Sequence, residues 1–166
     1  MIHSKTKIRS TYTGLAHWSK GQVVVILTAL LITFPTLSTA QHADIVVQMS
    51  KNSFENTVTS LKKGITANKL VIVKEVPFTQ MLAMVGVKAE KTLGLEIFHP
   101  RYGKILHMKN KDAMLEVPLR ILVRDEGGEI SIRYRKPSAT FAEYSGLTEV
   151  GAQLDKVFAK IVASAM

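Results

Sequence analysis

Between residues 119 and 135 the sequence alternates with period two on both sides of an acidic glycine turn, and this constrains the fold more than any other stretch. Leu119, Ile121 and Val123 fall on one side of an extended chain, and Arg120, Leu122 and Arg124 on the other. After Asp125-Glu126-Gly127-Gly128, Ile130, Ile132 and Tyr134 oppose Ser131, Arg133 and Arg135. Successive side chains of a strand point to opposite faces, so one face of this pair is apolar and the other carries four arginines. Tandem glycines suit a tight turn, which predicts a β-hairpin. Its apolar face needs a cover.

The rest of the chain supplies candidates for that cover. Residues 45–49 read as a short strand, followed by Ser50, Lys51, Asn52 and Ser53, which favour a turn and a helix cap. Phe54, Val58, Leu61 and Ile65 then recur at helical spacing, with Asn68 as a left-handed stop. Residues 70–76 are rich in β-branched side chains and are closed by Pro77, which predicts a second strand; residues 78–87 have helical composition. A third strand over residues 93–98 is broken by His99-Pro100-Arg101-Tyr102-Gly103, because proline cannot donate to a sheet ladder. Residues 104–108 predict one helical turn, and residues 114–123 a fourth strand with Pro118 in its first half. Residues 140–144 predict a further turn of helix. Thr148 is placed as the cap of a final helix whose Val150, Leu154, Val157, Phe158 and Ile161 form an apolar stripe. The order is roughly β-α-β-α-β-β-β-α, an α+β domain with a small mixed β-sheet covered by helices.

The first forty residues are of another kind. A polar, cationic leader with Lys5, Lys7, Arg9 and Lys20 and no acidic residue precedes an apolar run over residues 23–37, and Ser38-Thr39-Ala40 then offers small side chains. That order is a secretory signal peptide, with cleavage expected after Ala40. At roughly 15 residues the apolar run falls short of the ~20 that span a bilayer, so membrane attachment would come only through an uncleaved signal segment. The remaining residues 41–166 are expected to form a single domain in the periplasm or outside the cell. Subtracting the leader's four charges from the chain's net +9 leaves that domain at +5. This favours anionic partners without the dense basic clustering of a nucleic-acid binder. The chain has no cysteine, which excludes disulfides, thiolate metal sites and a cysteine nucleophile.

The order of motifs also carries a resemblance. Glu96-Ile97-Phe98-His99-Pro100-Arg101-Tyr102-Gly103, then Val117-Pro118-Leu119-Arg120-Ile121-Leu122-Val123, the acidic glycine turn, and Ile132-Arg133-Tyr134-Arg135-Lys136-Pro137 together resemble the domain-of-unknown-function family 302 (DUF302). The likeness spans most of residues 50–147. It implies a compact α+β domain, often a homodimer, with no established catalytic residues. His99 stands where relatives usually have asparagine, and Val117 where leucine is usual.

Two kinds of site are compatible with these residues. The hairpin arginines suit carboxylate or phosphate, since guanidinium makes bidentate contacts with both; a charged face that blocks edge aggregation explains them as well. The candidate ligand-binding residues are His99, Arg101, Tyr102, Arg120, Arg133 and Tyr134, presented to a small anionic or redox-active ligand. Alternatively His99, His107 and Met108 would bind copper or haem, imidazole plus thioether being what a copper site without thiols would use and thioether being soft enough for Cu(I). An enzyme of unassigned class is a third reading beside the non-catalytic binding module: glycines 86, 94 and 103 form no nucleotide fingerprint, and no nucleophile-base order or paired-carboxylate spacing assigns a reaction.

Overall fold

The computed structural model describes residues 43–166; residues 1–40, expected from sequence to be a signal peptide, lie outside the described residues. The alternating stretches pair as expected. β4 (Leu119–Asp125) and β5 (Ile130–Arg135) form an antiparallel hairpin with Ile121 opposite Tyr134, Leu122 opposite Arg133 and Val123 opposite Ile132. Gly127 and Gly128 hold φ values of 78° and 105°, where a side chain would be strained, and the Gly128 N–H donates to the Asp125 carboxylate at 2.7 Å.

The other strands are β1 (Ile45–Ser50), β2 (Val71–Val76) and β3 (Thr92–Phe98), and the sheet order is β1-β5-β4-β3-β2. The α+β class and the element order match expectation. The sheet, however, is antiparallel at every pairing rather than mixed. The cause lies in the connections. A parallel neighbour needs a crossover that travels back along the sheet. The β2–β3 connection carries only the six-residue α2 (Phe78–Ala83), and β3–β4 carries α3 (Pro100–Lys109) with a 3-10 helix (Lys111–Glu116). In both cases the next strand returns beside its predecessor.

One face of the sheet is covered. Val58, Leu61 and Ile65 of α1 (Phe54–Ala67) and Phe158, Ile161 and Val162 of α5 (Thr148–Ala163) pack on Leu95, Ile97, Ile121, Val123, Ile130, Ile132 and Tyr134. Each large apolar side chain buried in this way contributes roughly 1.5–3 kcal/mol. The two helices approach closely at Gly64, where a Cβ would sit 3.3 Å from the carbonyl oxygen of Ile161. A second cluster of Leu106, Ala113, Phe141, Leu147, Val150 and Leu154 lies at the α3 end. There α4 (Pro137–Thr140) abuts α5 at Gly151. Among the described residues no long helix lies over the opposite sheet face, with the arginines; Phe78 of α2 lies above Gly94, where a Cβ would be 3.0 Å from its ring.

Several local expectations change. The left-handed residue after α1 is Lys69 (φ 62°), while Asn68 stays at φ −89° and its side-chain amide donates to the Gly64 carbonyl at 2.8 Å. Residues 114–116 are helical because Asn110 caps the 3-10 turn, accepting from the Asp112 N–H at 3.2 Å; Pro118 therefore precedes β4 instead of lying inside it. Thr148 is the first residue of α5, whose N-cap is Leu147 with no side-chain bond. The segment over residues 78–87 is helical only to Ala83.

Candidate functional site

The uncovered face contains a groove of about 490 Å³, in the range of small-molecule sites. It lies where β4 begins and β5 ends. The register explains its chemistry. Arg120 and Leu122 of β4 and Arg133 and Arg135 of β5 share the outward face, and Ile45, opposite Arg135 on β1, extends it. Leu115, Glu116 and Pro118 from the chain entering β4 form one wall, and Thr140 of α4 contributes at the end. Like charges on neighbouring strands repel, and each guanidinium has a carboxylate partner that lies outside the groove lining. Arg120 pairs with Glu96 at 2.5 Å, Arg133 with Glu126 at 2.5 Å, and Arg135 with Asp44.

These pairs fix where the guanidiniums stand without using all their donors. Glu126 also accepts from the Ser131 hydroxyl at 2.9 Å, and this bond, then Arg133 and Arg124, hold its carboxyl below the ordinary carboxylate value. Exposed ion pairs contribute only about 0–1 kcal/mol each, so an incoming anion competes with them readily. On the wall, Glu116 accepts from the Tyr144 hydroxyl at 2.8 Å, a bond that raises the phenol's pKa.

Of the residues singled out from sequence, Arg120, Arg133 and Tyr134 meet here. Tyr134 does so only in part. Its ring is 7% exposed, packs on Phe158 with centroids 5.4 Å apart, and belongs to the core; burial, then the charge of Asp155, raises its phenol's pKa. His99 and Tyr102 lie apart from the groove, lining a small crevice with Phe98, Leu106 and Phe158, and Arg101 is exposed on α3. Arg135, Ile45, Leu115 and Leu122 are groove residues absent from the sequence-derived set. The alternation that marks Arg133 marks Arg135 and Leu122 equally; Leu115 has no comparable signal, since a 3-10 helix places it.

His99 has a structural role. It is the N-cap of α3, with Nδ1 accepting the Arg101 N–H at 2.9 Å and Pro100 in the first turn. That is the bond an asparagine cap would make. His107 is in the last turn, eight residues on, or about 12 Å along the axis at 1.5 Å per residue. Met108 is 72% exposed. The structure does not gather His99, His107 and Met108 around one point, and among the described residues no three His, Asp or Glu side chains form a metal-binding group. We expect His99→Ala to cost about 1 kcal/mol and His99→Asn to retain full stability. Urea denaturation of both variants checks this.

The family model described as domain of unknown function DUF302 matches residues 45–165. The chain belongs to this family. A solved DUF302 structure from Bacillus stearothermophilus, described as an uncharacterised conserved protein, is similar with a TM-score of 0.71 at 16% identity; the match covers 75% of this chain and 99% of that one. At that identity the likeness supports the fold alone. Among curated proteins, none matches the chain. The described residues of this DUF302 domain include no helix long and apolar enough to cross a membrane.

Proposed function

We propose that this DUF302 domain is an exported, non-catalytic binding module that takes a small anionic ligand in the groove on its uncovered sheet face. The observation that carries the reading is the lining itself: Arg120, Arg133 and Arg135, each held by a carboxylate outside the groove, surround an apolar floor with donors to spare. Guanidinium donors are suited to bidentate contact with a carboxylate or phosphate. The reading of residues 1–40 as a signal peptide supports export.

The test uses the ion pairs as well as the arginines. With acetate as probe, Arg120→Ala and Arg133→Ala are expected to weaken binding about tenfold each, in line with roughly 1.5–3 kcal/mol for a charged hydrogen bond. Glu126→Gln, which releases Arg133 from its partner, is expected to tighten it. Affinity should fall with added salt. Unchanged affinity in all three variants would leave the arginine face as solvated charge.

Self-association is a second reading, favoured by β2. This edge strand exposes Val71 and Val73 at 52% and 56%, and unpaired edges invite pairing with another chain. Sedimentation velocity of the domain is expected to give a dimer; a monomer at every concentration would end that reading.

A further inference from the structure

We infer that the ligand of this groove is an amphipathic monoanion, a carboxylate carried on an apolar chain; this rests on the anion-binding reading above. The groove is two-sided. Arg120, Arg133 and Arg135 supply its charge, while Ile45, Leu115, Pro118 and Leu122 supply an apolar lip and floor.

Leu115 is the informative residue. It is 83% exposed, although the 3-10 helix that carries it buries Ala113 completely. A large apolar side chain held out at the mouth of a cationic groove gains nothing within the fold, whereas a bound alkyl chain would remove it from water. Ile45 is 37% exposed on the side of β1 facing the same space.

Charge limits the head group to one negative charge. Each groove arginine already faces a protein carboxylate in Glu96, Glu126 or Asp44, and Glu116 stands in the wall. With Arg124 also 3.8 Å from Glu126, four guanidiniums face four carboxylates, so the surroundings hold no net positive charge to offset a second negative charge on the ligand. A single carboxylate can share the donors that the ion pairs leave free.

Size agrees with this class. A site of about 490 Å³ holds a medium-length chain.

The experiment is isothermal titration of the domain with decanoate, acetate and decanol below their aggregation limits. Decanoate is expected to bind at least tenfold more tightly than either of the others. Leu115→Ser, which removes no core contact, should weaken decanoate severalfold and acetate much less; Arg133→Ala should weaken both carboxylates. Acetate binding as tightly as decanoate would overturn the amphipathic ligand while keeping the anion site. Decanol equalling decanoate, with Arg133→Ala indifferent, would overturn the anion reading beneath it, and no binding of any probe would overturn both.

Discussion

Phe158→Ala is expected to remove about 3–5 kcal/mol of stability, the cost of deleting a fully buried phenylalanine and leaving its cavity. Phe158 is 1% exposed and lies where α5 meets the sheet, against Tyr134. A small domain has roughly 5–15 kcal/mol in total, so this one change consumes a large share of it. Equilibrium urea unfolding checks the value through a lower midpoint at unchanged slope. A loss under 1 kcal/mol would mean that α5 does not pack as described. The effect is expected to reach the groove through the backbone, because the Tyr134 ring rests on Phe158 while its neighbours Arg133 and Arg135 line the groove on the opposite sheet face.

Gly151→Val is the second large effect. A Cβ at this position would lie 2.7 Å from the Ser138 Cα and 3.3 Å from the Pro137 carbonyl oxygen. Those are backbone atoms of α4, which cannot swing aside as a side chain can. Spreading α4 from α5 would also strain the Asp155 carboxylate's bonds from the Ser138 N–H (2.9 Å) and hydroxyl (2.5 Å). Replacing glycine inside a helix gains about 1 kcal/mol at most in propensity, while overpacking costs about 1–3 kcal/mol and more for a branched side chain. Overpacking wins. Thermal unfolding is expected to show a loss of about 3 kcal/mol for Gly151→Val and a smaller one for Gly151→Ala; stabilisation by either would contradict the close approach.

How much of this was legible in the sequence follows from the range of each signal. The hairpin faces are visible because period two is written into adjacent residues, and the apolar stripes of α1 and α5 because helical spacing is equally local. Strand neighbours are not local. That β1 pairs with β5, with Val47 opposite Arg133, depends on a contact across most of the domain. The strand expected to start at residue 114 fails for a different reason. Asn110 satisfies the first turn of a 3-10 helix, and that bond outweighs the strand-like composition. The family resemblance placed His99 as an anomaly, and the N-cap accounts for it. The candidate site was half legible. Alternation identified Arg120 and Arg133, whereas no sequence rule could separate them from His99 and Tyr102, which lie elsewhere, or add Leu115.

The central claim is that the uncovered arginine face, and not the α3 end of the domain, is the binding surface. It is tested most directly by mapping amide and arginine side-chain NMR shifts during a decanoate titration. The account predicts changes concentrated at Leu115, Arg120, Leu122, Arg133 and Arg135. Changes confined to His99, Tyr102, His107 and Met108, with the groove silent, would contradict it.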